Sequence, residues 1–207
     1  MARRVFISFR FSDGAEYKEE LCKLFDQDDD VIDCSEDEDR SGMSEETIRR
    51  YLYDKLARTS VTIVLLTPEA IEYRRDRFDK IDDWMYDELR YSLEDRDNNV
   101  TNGVVAVYTS EAKDLLIEEC THKCDMCREE SRVTGLKDVN NLARKNMLNI
   151  KESHKKHQCV GVYDRLEDSY VSLISFEDFK SDVNKYIENA VSKRERRNEF
   201  NLVKRMD

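Results

Sequence analysis

The sequence predicts an α/β fold built on a five-stranded parallel sheet. Short apolar segments alternate with longer amphipathic segments through the first half of the chain. Such alternation, joined by right-handed crossovers, produces a parallel sheet with helices on its faces. One apolar segment, residues 59–67, is almost continuously aliphatic, as expected for a central strand that is covered on both sides.

The first predicted strand is residues 4–9, a short apolar run between polar residues. Residues 10–14 are rich in turn-forming residues and are expected to form a loop. Residues 15–25 have apolar residues at helical spacing, and residues 31–34 form a short second strand. Ser44 is placed to cap a helix that runs to about residue 58.

The third strand, residues 59–67, ends at Pro68, and a charged connection leads to a helix over residues 84–94. Residues 104–108 form the fourth strand. Residues 109–157 are polar, helix-like and cysteine-bearing, and are expected to form a helical insertion. The fifth strand is predicted at residues 158–163 and the last long helix at residues 175–191. We expect one domain, residues 1–192, followed by a charged tail, residues 193–207.

The predicted strand order is 2-1-3-4-5, as in the flavodoxin-like doubly wound folds. Ligands of such sheets bind beyond the carboxyl ends of the strands, where strands one and three are neighbours. The loop after strand one and the segment leading to Trp84 and Glu88 should converge there. Trp84 and Glu88 are four positions apart and therefore share a helix face. The alternative is an ordinary amphipathic helix with Trp84 in the core and Glu88 in solvent.

The composition argues against several classes of protein. The net charge is −11 and charged residues make up 39% of the chain, which disfavours broad binding to nucleic acid or to an anionic membrane. No nucleotide-binding G-x-G-x-x-G or P-loop motif is present, so a Rossmann dehydrogenase or P-loop NTPase is not expected. The N-terminus lacks the features of a signal peptide, so we expect a cytoplasmic protein.

Some of the six cysteines have spacings that suit zinc. Cys120, Cys124 and Cys127 precede a second group that contains His154, His157 and Cys159. Thiolate and imidazole ligands from both groups could tie the insertion to the predicted fifth strand. The favoured interpretation is a set of reduced, unconnected thiols, with no bound cofactor.

Four segments in the same order resemble a TIR domain. They are FISFRFSD at 6–13, DEDRSGMSEETIRRYL at 37–52, TSVTIVLLTPEAI at 59–71 and WMYDEL at 84–89. The longer form, with its insertion and the closing SFEDFKSDVNKYIENA, resembles the bacterial TIR-like proteins of the Thoeris anti-phage type.

The resemblance implies cleavage of NAD between nicotinamide and ribose, with Glu88 as the catalytic residue. NAD would be a substrate, and a cyclic or otherwise modified ADP-ribose would activate a separate effector in anti-phage defence. Self-association through TIR contacts is expected. The alternative is a non-catalytic TIR scaffold that signals through homotypic contacts. Candidate substrate contacts accompany Glu88: Phe9, Arg10, Ser8, Asp13, Ser41, Trp84 and Asp87.

Overall fold

The computed structural model describes residues 3–26, 31–33, 45–70, 73–78, 81–95, 100–159 and 161–206. Its central sheet has five strands: β1 (Arg3–Ser8), β2 (Val31–Asp33), β3 (Val61–Leu66), β4 (Gly103–Tyr108) and β7 (Val171–Ser175). They lie in the order β2-β1-β3-β4-β7, and every neighbouring pair is parallel. The predicted α/β class with a parallel central sheet is confirmed.

Helices cover both faces of this sheet. On one face, α1 (Phe11–Phe25), α6 (Phe176–Ser181) and α7 (Val183–Glu195) pack against Val61, Ile63 and Leu65 of β3. On the other face, α3 (Trp84–Leu93), α4 (Ser110–Leu116) and α5 (Leu142–Lys145) pack against Val64 and Leu66. All six residues of β3 are buried, as expected for a central parallel strand. Helix α2 (Glu45–Leu56) packs beside α3 through Leu52 and Leu56.

The loop predicted at residues 10–14 is the first turn of α1. The N–H of Gly14 donates to the carbonyl of Arg10 at 2.7 Å, and Gly14 is buried within the helix. A Cβ atom at this glycine would lie 3.3 Å from the Phe9 side chain. Gly14 therefore permits close packing of α1 on the end of β1, and its presence was a misleading turn signal.

The insertion is not purely helical, and the last strand lies later than predicted. After α4, strands β5 (Ile117–Lys123) and β6 (Glu130–Leu136) form an antiparallel hairpin, and α5 follows. The fifth strand was predicted at residues 158–163, but those of them that the structure describes, 158–159 and 161–163, lie in a loop where Gly161 has a positive φ of 81°. The strand beside β4 is β7, whose VSLIS sequence places Val171 and Ser172 in the core.

The final helix is broken, and the residues after it are part of the domain. Asp182 ends α6, and its side chain accepts from the N–H of Lys185 to cap α7. The predicted tail boundary at 192 falls inside α7. Lys193 is fully buried, and its ammonium donates to the carbonyl of Ser169 at 2.8 Å.

The segment after α7, residues 200–206, runs back across α3. Phe200 is buried against Tyr170, and the N–H of Met206 donates to the hydroxyl of Tyr86 at 3.0 Å. Arg205 reaches Glu94 at 2.8 Å. None of the helices within the described ranges has the length and apolar character needed to cross a membrane.

Candidate active site

The loop after β1 and the start of α3 meet at the carboxyl edge of the sheet. Arg10 follows β1, and its guanidinium forms an ion pair with Asp83, 73 positions later. The side chains are only 8% and 0% exposed. A buried pair is stable only when both charges have close partners, so this contact fixes the two segments relative to each other.

Asp83 also determines where α3 begins. Its carboxylate accepts from the N–H of Tyr86 at 3.3 Å, which makes it the N-cap of the helix. It accepts from the N–H of Arg74 at 2.8 Å as well. One carboxylate therefore joins β1, the connection after β3 and the first turn of α3.

Asp13 makes a second connection at the same edge. It accepts from the Thr67 hydroxyl at 2.7 Å and from the N–H of Glu69 at 2.8 Å. The first turn of α1 is thus bound to the segment that follows β3. The convergence predicted from the strand order is therefore present. The Asp13 carboxylate, which was predicted to contact substrate, here accepts hydrogen bonds from the protein itself.

Glu88 lies in the second turn of α3 and is only 9% exposed. Burial raises its pKa from the ordinary 4.5 to about 8. The Ser8 hydroxyl at the end of β1 opposes this increase, as does the charge of Arg10, while Asp83 and Asp87 add to it. The predicted catalytic residue is therefore a buried, largely protonated carboxyl group at pH 7, and the solvated alternative is wrong.

Two buried polar atoms accompany this carboxyl group. The Ser8 hydroxyl faces Glu88 and lowers its pKa as a hydrogen-bonding group, whereas Arg10 Nε has no hydrogen-bond partner within the described part of the chain. Most buried polar atoms in proteins are hydrogen-bonded, so the unpartnered Arg10 Nε is unusual. These two atoms lie on β1 and in the loop that follows it, where the fold class places its ligand.

The other predicted contacts are distributed around this point. Trp84 is the first residue of α3 and is 37% exposed, so it is not a core anchor. Phe9 is half-buried, and its ring lies 4.8 Å from that of Phe11. Asp87 forms an ion pair with Arg90 at 3.1 Å. Ser41 lies outside the described residues. Arg10 is engaged by Asp83, so its predicted phosphate contact remains a prediction.

Sequence reasoning missed Asp83. An acidic residue directly before a helical apolar pattern is a known N-cap signal, and it was available at this position. Its pairing with Arg10 had no local signal, because the two residues are distant in sequence.

A separate cleft of about 840 Å³ lies between the connection after β3 and the insertion. Glu88 is not among its lining residues, which include Leu66, Tyr73, Arg74, Lys137 and Asn141.

Comparison with known families identifies the domain. The family model described as Thoeris protein ThsB, TIR-like domain, matches residues 6–114, slightly more than half of the chain. The chain belongs to this ThsB TIR-like family.

The match spans the part of the TIR-like domain from β1 to α4 and contains Ser8, Arg10, Asp83 and Glu88. The hairpin, α5, β7 and the last two helices lie beyond it. Membership places the protein in a family of anti-phage defence proteins, as the resemblance implied.

Proposed function

We propose that this TIR-like protein cleaves NAD at the bond between nicotinamide and ribose, with Glu88 as the catalytic residue. The observation that carries the proposal is the Glu88 carboxyl group itself, buried against the Ser8 hydroxyl and within the electrostatic influence of Arg10, whose Nε has no partner in the described part of the chain. A strongly perturbed carboxyl group at the ligand-binding edge of such a sheet is typical of a functional site.

The charge of the substrate suits this environment. The nicotinamide ring of NAD is cationic, so its approach would favour the ionised form of Glu88 and lower the pKa of that carboxyl group. In a site from which water is excluded, the resulting carboxylate interacts strongly with positive charge. Binding would therefore increase the fraction of Glu88 that is ionised.

Cleavage then places positive charge on the ribose. As the bond to nicotinamide breaks, its electron pair goes to the ring nitrogen, and nicotinamide leaves as a neutral molecule. No general acid is needed for that departure. The ribose passes through an oxocarbenium-like state, as in glycoside cleavage, which the Glu88 carboxylate would stabilise.

The product would be a cyclic or otherwise modified ADP-ribose that activates a separate effector in anti-phage defence. This step, together with assembly of several copies through TIR contacts, rests on the family membership. An intramolecular or conjugating acceptor in place of water requires a site that excludes water, and the buried Glu88 environment supports this.

The test is mass spectrometry of nucleotides after incubation of NAD with the purified protein and with extracts of phage-infected cells that express it. We expect nicotinamide and an ADP-ribose derivative from the wild type, and a loss of at least ~10³-fold for Glu88→Gln. Glu195→Gln is the matched control, because it makes the same change at an exposed position on α7.

The proposal fails if Glu88→Gln forms product as fast as the wild type. It also fails if neither sample forms product while Glu88→Gln still protects cells from phage. That second result would favour the scaffold, in which contacts between copies carry the signal and no carboxylate is required.

A further inference from the structure

The tip of the β5–β6 hairpin is a tight turn that presents two sulfur atoms. The N–H of Cys124 donates to Glu129 O, and the N–H of Arg128 donates to Cys124 O, both at 2.9 Å. Arg128 has a positive φ of 65°, which turns the chain sharply after Cys127. The backbone N–H groups of Met126 and Cys127 are directed at Cys124 Sγ.

A second loop brings Cys159 to this turn. The ammonium of Lys155, which is almost fully buried, donates to Cys159 O at 2.8 Å and lies 4.0 Å from the centre of the Tyr163 ring. Tyr163 is in turn joined to β6, because the Ser131 hydroxyl donates to its carbonyl at 3.2 Å. The loop is therefore held against the hairpin by contacts that do not involve sulfur.

Three thiols meet where the turn and the loop touch, and a fourth potential ligand, His157, lies beside one of them. The Sγ atoms of Cys124, Cys127 and Cys159 all lie within 4.8 Å of one another. His157 Nε2 lies 3.9 Å from Cys127 Sγ. Ligands of a tetrahedral zinc ion, at their usual bond lengths, are separated by roughly 3.6–3.8 Å, so the three thiols need only modest contraction. His157 already lies beside Cys127, and its ring would have to turn from Glu129 towards the other two sulfur atoms.

We propose that Cys124, Cys127, Cys159 and His157 bind one zinc ion in a closed structural site. Three thiols and an imidazole are a standard zinc donor set, and zinc would replace the three thiol protons. His157 Nε2 now contacts Glu129 at 2.7 Å, and His157 Nδ1 accepts from the N–H of Cys159 at 3.2 Å. Zinc at Nε2 would replace the first contact, and the second would be given up because the ring proton would then be on Nδ1. Cys120 is exposed on β5 and is not in the cluster, so His157 replaces it among the ligands considered from sequence.

Such an ion would join the hairpin tip to the loop that leads into β7. The two cysteines of the turn and Cys159 lie about 30 positions apart, and closing a loop of this length removes conformational freedom from the unfolded chain. The tip of the hairpin would then be held by the metal in addition to those contacts, because most of β5 is exposed and contributes little to the core. This inference is independent of NAD cleavage.

The experiment is the zinc content of the full-length protein, purified in reductant without chelator and measured by inductively coupled plasma mass spectrometry. We expect about one zinc per chain. Cys124→Ser, Cys127→Ser and Cys159→Ser should lose the metal, while His157→Ala should weaken zinc binding at least ~10-fold. The matched controls Cys120→Ser and Glu129→Gln should retain it.

A second readout uses the unmutated protein, so that misfolding of a variant cannot imitate loss of a ligand. Cobalt added to the chelator-treated protein should give the intense visible bands of a tetrahedral, thiolate-rich site, and zinc should abolish them. The proposal is overturned if the wild-type protein contains no metal and also gives no cobalt spectrum. Retention of zinc by the triple cysteine variant overturns it too, as does a disulfide within the cluster in protein purified anaerobically.

Discussion

The Glu88 site (Ser8, Arg10, Asp83 and Glu88) and the thiol cluster (Cys124, Cys127 and Cys159) are built in opposite ways. The Glu88 site joins residues up to 80 positions apart, from Ser8 to Glu88, and is buried at the edge of the main sheet. The thiol cluster joins a four-residue turn to a short loop, and Cys127 within it is exposed. Long-range packing places the first set of groups, whereas local turn geometry places most of the second.

The difference determines where electrostatic interactions are strong. Around Glu88 the protein excludes water, so the Arg10–Asp83 ion pair and the carboxyl group act on one another with little screening. On the hairpin, water screens the ion pairs, and we propose that a metal supplies the order that burial does not. Substitutions of the same kinds of charged side chain should therefore change the free energy of unfolding by very different amounts in the two regions.

The largest effect is expected from breaking the buried ion pair. Arg10→Met leaves Asp83 charged and deprived of its partner, which typically costs about 3–5 kcal/mol of unfolding free energy. Urea denaturation followed by circular dichroism measures this. The double variant Arg10→Met/Asp83→Ser keeps a capping residue without the charge and should recover much of the loss. A loss below about 1 kcal/mol for Arg10→Met would show that the pair behaves like a surface contact.

An effect that depends on pH, and that becomes comparable with the first only near pH 8, is expected from Glu88→Gln. The folded-state pKa of about 8 lies above the ordinary 4.5, so the wild type loses stability as pH rises through this interval. The variant lacks that loss, and its stability advantage should grow from about pH 5 to pH 8, by up to about 1.4 kcal/mol per pH unit, and then level off.

Denaturation at a series of pH values tests the Glu88→Gln prediction, with Glu195→Gln as the control. The control changes an exposed carboxylate and should run parallel to the wild type at every pH. If the two variants behave alike, the Glu88 carboxyl group does not carry a raised pKa.

The smallest effect is expected on the hairpin. Arg132 and Glu119 form an ion pair across β5 and β6, with side chains 67% and 33% exposed. Arg132→Ala should change the unfolding free energy by no more than about 1 kcal/mol, because solvent-exposed pairs contribute little. Denaturation in low and in high salt measures this change in the unfolding free energy. An effect as large as that of Arg10→Met would remove the contrast between the two regions.

The parts of the fold that were predictable have strong local patterns. β3 and β4 are mostly apolar runs, and the helical pattern of residues 84–94 placed Glu88 on α3. The predicted strand order placed that helix near the strand ends. β5 was missed because six of its seven residues are exposed and polar character masks its alternation. Residues 158–163 resemble a strand in composition, yet β7 has the better apolar run beside β4.

The candidate sites, too, were predictable only where a local sequence pattern indicated them. The partnership of Arg10 with Asp83 depends on the sheet bringing two distant segments together, which no local pattern reports. Cysteine spacing indicated a possible metal site, but it could not separate Cys120 from His157. Which of these two side chains lies near the other sulfur atoms depends on how the turn and the loop fold, and the structure places His157 beside Cys127.

The segment that crosses α3 affects how a newly made chain matures. Tyr86 meets the N–H of Met206, 120 positions later, so α3 cannot complete its packing until that residue has left the ribosome. At ordinary rates of translation this takes on the order of ten seconds. Throughout that interval the helix that bears Glu88 lacks its last contacts. In a nascent chain the Glu88 carboxyl group would thus be packed less tightly than in the finished protein.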